Sequence, residues 1–193
     1  MKRHLILLLL LTLSAIAISY GQNSSAPRYE PEKAVVTVNG NVITGEELNY
    51  ELKRLEEQAM MKGEQQEVPL NYAYFEELRK QVIEMLIVRE LLIKECEERS
   101  IAATEKQITE QFEVLKNQFP SEQKFQEYLE YSSISREKLR SEIRISLTID
   151  MLAESLLEDR VFSNHENRER GKQQVLAPLI DELYQQAVIQ YHE

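Results

Sequence analysis

The chain has no tryptophan, one cysteine, five glycines and three histidines among its 193 residues. A single cysteine rules out an internal disulfide. Cys96 lies inside an apolar helical run, where a small buried hydrophobe is expected rather than a reactive thiol. Five glycines leave no room for a glycine-rich phosphate cradle. His4 sits in a basic leader, and the other two histidines are His165, in a polar stretch, and His192, next to the last residue. Neither has a partner at metal-ligand or triad spacing. There is no G-x-S-x-G, no H-E-x-x-H and no cysteine pair. These absences point away from a catalytic centre, a metal site or a bound cofactor, so the expectation is a protein that is not an enzyme.

Positive charge is also scarce. Lys and Arg number 23 against 33 Asp and Glu, a formal charge of −10. Such a surface repels nucleic acid and anionic lipid, and it favours solubility alongside sticky partners. The paired acids Glu56-Glu57, Glu76-Glu77 and Glu97-Glu98 fall on polar helix faces and read as solvated surface. At the N-terminus Lys2, Arg3 and His4 precede an apolar run from Leu5 to Ile18. Ser19 and Gly21 then stand at −3 and −1 of a cut before Gln22. That order predicts a cleaved secretory signal peptide over residues 1–21. The run is short of the about 20 residues a bilayer span requires. The expectation is export to the periplasm without stable membrane insertion.

Beyond the leader, residues 22–33 carry little to bury and read as a flexible lead-in. Residues 34–191 are expected to form one core. Ala34–Val38 is a β-branched run ended by Asn39-Gly40, a turn signal. Thr44 and Glu47 form a capping box that starts a helix to about Lys62. A second helix, from about Asn71 to Arg99, is apolar on nearly every face between Val82 and Ile93 and must be covered on several sides. Thr104 with Gln107, then Ser121, then Ser135 start three more helices, and Pro120 stops the first of these. Residues 163–177 read as a polar linker, with a last helix starting at Pro178. Val188–Tyr191 is a second β-type run. Single strands are unstable in water, so the two runs are expected to pair. The fold class is mainly α, with a short two-stranded pairing between the ends of the mature chain.

Adaptable apolar residues gather at three places: Met60 and Met61 after the first helix stripe, Tyr72, Tyr74 and Phe75 at the start of the long helix, and Phe119, Phe125, Tyr128 and Tyr131 around the proline break. Methionine is flexible and tyrosine amphipathic, so both adapt to varied partners. The same residues would also serve the domain's own core. Any left exposed would contribute roughly 1.5–3 kcal/mol when covered by another chain. Offset by ordering costs, several such contacts give weak, sequence-tolerant peptide binding.

The order of elements resembles a known family. Val35-Val36-Thr37-Val38-Asn39-Gly40-Asn41-Val42-Ile43-Thr44, then Glu47-Leu48, resembles the opening "V-V-N-G-x-V-I-T-x-x-E-L" of SurA-type periplasmic chaperones. Leu78 to Arg99 looks like their long central helix, and Ser100-Ile101 with Thr104-Glu105 and Ile108 like their "G-I-x-I-s-d-e-x-I" joint. Phe125 to Leu129 with Ser135 to Ile143, and the tail Leu183 to Tyr191, are similar to later segments. Most relatives insert a parvulin-type prolyl isomerase domain before the closing helix. The polar stretch here is too short for a domain, which needs about 50 residues. The resemblance implies a client-binding core in the cell envelope that shields unfolded or nascent exported polypeptides without isomerase activity. A scaffold or subunit binding one folded partner is the alternative.

Overall fold

The computed structural model describes residues 29–61, 72–132, 134–157, 162 and 164–192, with the side chains of 56–61 and 72–74 excluded. The expected leader over 1–21 and residues 22–28 of the lead-in lie outside the described residues. The described chain divides into two compact units, one of residues 29–90 with 186–192 and one of residues 91–185.

The first unit is built on a small antiparallel sheet. Strand β1 spans Ala34–Val38, β2 spans Asn41–Thr44 and β3 spans Ile189–Tyr191, in the order β2-β1-β3. The pairing of the two ends is present, but the sheet has three strands rather than two. The reason is the turn: Asn39 and Gly40 both take positive φ, 51° and 92°, the geometry of a tight hairpin. The chain therefore doubles back at once, and Asn41–Thr44 becomes a strand. An irregularity between Ala34 and Val36 lets Val35 and Val36 both turn inward, beside Val38 and Ile43. Asn39 also ties in the far end of the chain. Its N–H donates to the Val188 carbonyl at 2.9 Å, and its Oδ1 accepts from the Val188 N–H at 2.9 Å.

Helix α1, Gly45–Met61, begins as its sequence dictates. Glu47 Oε2 accepts from the Thr44 N–H at 2.9 Å, and Thr44 Oγ1 from the Glu47 N–H at 3.4 Å. Residues 29–33, expected to be flexible, are instead pinned to this start. Asn49 exchanges two hydrogen bonds with the Tyr29 backbone, at 2.9 and 2.7 Å, and the Gly45 N–H donates to the Lys33 carbonyl at 2.8 Å. Glycine is required at 45, because a Cβ would come within 2.1 Å of the Glu30 carbonyl oxygen.

Helix α2, Tyr72–Glu98, belongs to the first unit as far as Glu90 and to the second from Leu91. Val82, Ile83, Met85, Leu86, Ile87, Val88, Leu91 and Leu92 are all buried, as a helix covered on several sides requires. Arg89, in the middle of this run, is 7% exposed. It reaches Glu51 at 3.2 Å and Glu47 at 3.5 Å, both on α1, and so remains paired. The helix ends at Ser100, whose φ is 56°, with the Ile101 N–H donating to the Cys96 carbonyl at 2.8 Å. This is the left-handed stop usually occupied by glycine.

The second unit contains α3, Glu105–Lys116, α4, Glu122–Tyr131, α5, Arg136–Leu157, and α6, His165–Gln186. The caps at Thr104, Ser121 and Ser135 are in place. From His165 onward the linker expected over 163–177 is helix instead. Asn164 Oδ1 accepts from the Asn167 N–H at 2.8 Å and starts α6 thirteen positions before Pro178, which lies inside the helix. The polar run is helical because its burial is satisfied by charge rather than by apolar side chains. Lys172, 5% exposed, is surrounded by Asp150, Glu154 and Glu169.

Two predictions follow from this arrangement. Deleting residues 188–193 removes one of the two partners of β1 and should lower Tm on the order of 5 °C or more in a calorimetric scan. Ser100→Gly relieves the left-handed strain and should raise unfolding free energy by about 0.5 kcal/mol in denaturant titrations.

Candidate functional site

The α3–α4 hairpin carries four of the aromatic residues that the sequence singles out, Phe119, Phe125, Tyr128 and Tyr131. The apolar stripe of α3 buries Ile108, Phe112 and Leu115, and Asn117 caps its end. Pro120 and the Ser121 cap then turn the chain into α4, which buries Phe125 and Leu129. The rings lock together. Phe125 meets Phe112 edge-on at 5.6 Å and Phe119 at 5.2 Å, and Phe119 meets Tyr128 at 5.2 Å. Guanidinium groups from α5 close the cluster, Arg136 lying 5.2 Å from the Phe125 ring centroid and Arg140 5.7 Å from that of Phe112.

Ion pairs fix the same hairpin against α5. Glu105 accepts hydrogen bonds from Arg144 and from Arg140, the latter at 3.1 Å. Glu122 binds Arg136 and lies 3.1 Å from Lys116. The Arg144 hydrogen bond holds the Glu105 carboxyl below its usual pKa, and the Arg136 hydrogen bond does the same for Glu122. Both carboxylates therefore stay ionised and paired at neutral pH, and the acidic hairpin offers little unbalanced charge on this side.

The structure sorts the nine candidate peptide-binding residues into three groups. The side chains of Met60, Met61, Tyr72 and Tyr74 lie outside those described. Phe119 and Phe125 are buried, Phe125 completely, so neither presents a surface to another chain; both serve the domain's own core. Phe75 and Tyr128 are half-buried, and Tyr131 is 47% exposed. Tyr128 and Tyr131 are three residues apart on α4 and so share a face. Sequence reasoning missed Val114, which is 54% exposed on α3. Its signal was available: it falls two residues after Phe112, off the buried stripe. Val42, Val188 and Tyr191, around the sheet of the other unit, are also exposed and were not singled out.

Other side chains with potential chemistry serve the fold. Cys96 is buried, and its pKa is pushed up to about 11 by that burial and by neighbouring Glu95, which keeps the thiol protonated. His192 Nε2 lies 2.7 Å from Thr37 Oγ1 on the sheet, and His165 is exposed 3.9 Å from Glu169. Among the described residues no group of His, Cys, Asp or Glu could hold a metal ion, and no helix is long and apolar enough to cross a membrane.

A model of the SurA-like N-terminal domain matches residues 1–153, most of the chain. The chain belongs to that family. It is a family related to periplasmic chaperones, and the match points to no enzymatic one. The matched segment runs from residue 1 through the sheet hairpin and the aromatic cluster to Ala153 in α5, so α6 and β3 lie beyond it. No curated protein matches the chain.

The two classes of aromatic residue should separate in mutagenesis. Phe125→Ala empties the centre of the ring cluster and should cost about 3–5 kcal/mol in urea unfolding. Tyr131→Ser should change stability by no more than about 0.5 kcal/mol.

Proposed function

We propose that this SurA-like domain is an ATP-independent periplasmic holdase that binds unfolded secreted or outer-membrane polypeptides without isomerase activity. The observation that carries this reading is the outer side of the α3–α4 hairpin. There the exposed Tyr131 and the half-buried Tyr128 share a face of α4, with Tyr128 against the packed Phe119 ring, and Val114 is exposed on α3. Each covered side chain contributes roughly 1.5–3 kcal/mol or less, offset by the ordering cost of binding. A few such contacts give weak, sequence-tolerant attachment, from which a client can dissociate without energy input. The net charge of −10 keeps a complex with a sticky client in solution.

Family membership supports the chaperone class and the periplasmic site of action. The basic-apolar-small order of residues 1–21 supports export by a cleaved leader. Residues 158–164 alone separate α5 from α6, far fewer than the about 50 a folded domain requires, so no isomerase is inserted at that point.

Aggregation assays with several unrelated unfolded proteins test the reading. The protein should suppress aggregation of each, and the double variant Val114→Ser/Tyr131→Ser, at two exposed positions, should lose most of that effect while keeping its circular dichroism spectrum and Tm. Prolyl-peptide turnover should stay at background. Failure to protect any client, together with tight stoichiometric capture of one folded envelope protein, would make the domain a dedicated subunit instead.

A further inference from the structure

Helix α6 is docked by two different kinds of force along its length. Its first half, residues 165–174, has no apolar side chain at all. What it buries is Gly171 and Lys172. Lys172 Nζ lies 2.6 Å from Asp150 Oδ1 and 2.9 Å from Glu154 Oε1 on α5, and 3.0 Å from Glu169 Oε1 on its own helix. Arg168 Nε donates to Glu154 Oε1 at 2.9 Å. Burial works against the lysine's charge, but the hydrogen bonds to the three carboxylates outweigh it and hold its pKa above the ordinary value. The Arg168 and Lys172 hydrogen bonds draw Glu154 down to about 2. Beneath this latch, the bare backbone of Gly171 lies on Phe162 and Leu157. A Cβ there would come within 2.6 Å of the Phe162 ring and 3.2 Å of Leu157.

The second half of α6 docks by apolar burial of Leu176 and Ile180. Pro178 stands inside the helix between these two residues. It has no N–H to give to the carbonyl of Gln174, which is the last residue of the polar half. Helical cooperativity is therefore weakest where one kind of docking gives way to the other.

We propose that residues 165–174 form a charge-latched flap that opens independently of the rest of α6 and, when open, offers Phe162 and Leu157 to apolar side chains of an unfolded polypeptide. The opening itself needs no client; the second part rests on the holdase reading. The three carboxylates are each about one-third exposed, so salt and water can reach the latch from outside. Closed, the flap covers one side of the half-buried Phe162 ring with a glycine, a contact that can separate without disturbing the apolar seam around Leu176 and Ile180.

Amide hydrogen exchange on the full chain tests the flap. Amides 169–174 should exchange about tenfold faster or more than amides 180–184, and the gap should widen with added salt. Lys172→Met removes the latch charge, and Gly171→Ala wedges a methyl group against Phe162. Each should accelerate exchange in 169–174 while leaving 180–184 protected. Equal protection of both segments in the native protein at low and high salt would overturn the flap, whether or not the variants fold.

Binding of reduced, carboxymethylated lactalbumin, a permanently unfolded probe, tests the second part. Both variants should bind it several-fold more tightly than the native chain, and adding Phe162→Ala should cancel the gain. Variants that open the flap yet bind no more tightly would overturn the client surface. Selective exchange without probe binding by any form would instead count against the holdase reading and leave the flap standing.

Discussion

A strand flanked on both sides is the constraint on which the first unit depends. β1 carries Val35, Val36 and Val38 into the core, and it can hold them there only while its backbone groups are paired. One partner, β2, comes from the adjacent hairpin and the other, β3, from residues 189–191 at the opposite end of the sequence. The chain therefore leaves this unit at Glu90 and must return at Gln186 to complete it. The Asn39 side chain, in the hairpin turn, makes the return specific by accepting from the Val188 N–H. Tyr191 adds a hydrogen bond from its hydroxyl to Glu84 on α2.

Among the described residues each unit buries one cation, and the two are treated alike. Arg89 is held by Glu51 and Glu47, and Lys172 by Asp150, Glu154 and Glu169. A buried ion pair adds little net stability over an apolar substitute, but breaking one is expensive because the remaining charge has no water. In the first unit Arg89 fixes α1 against α2, and in the second Lys172 fixes α6 against α5. The hydrophobic contacts are permissive by comparison, since a helix apolar on every face, such as α2 between Val82 and Leu92, has no preferred partner of its own.

The proposed binding surface combines packed rings with adaptable ones. Phe112, Phe119 and Phe125 are packed edge-on, with Arg136 over the Phe125 ring and Arg140 over that of Phe112. Tyrosine suits the proposed surface because its ring tolerates both apolar and polar neighbours. The acids around it are occupied by Lys116, Lys124, Arg136, Arg140 and Arg144, which moderates the repulsion that a net charge of −10 would otherwise impose on an approaching chain.

Local chemistry was legible in the sequence wherever a short-range rule applied. The capping residues Thr44, Thr104, Ser121 and Ser135, the Asn39-Gly40 turn, the covered face-to-face burial of α2 and the meeting of the two chain ends all follow from patterns a few residues long or from the instability of a lone strand. The tertiary structure alone decided the rest. Polarity predicted a linker before Pro178, but Lys172 found three carboxylates and the segment folded as helix. The aromatic residues around Pro120 could serve either the core or a surface; Phe119 and Phe125 pack into one ring cluster with Phe112 and turn inward, while Tyr131 and Val114 stay outside. The physical reason is the same in both cases. Whether a charge or a ring is buried depends on a partner tens of residues away, and no local pattern records which partners the fold will bring together.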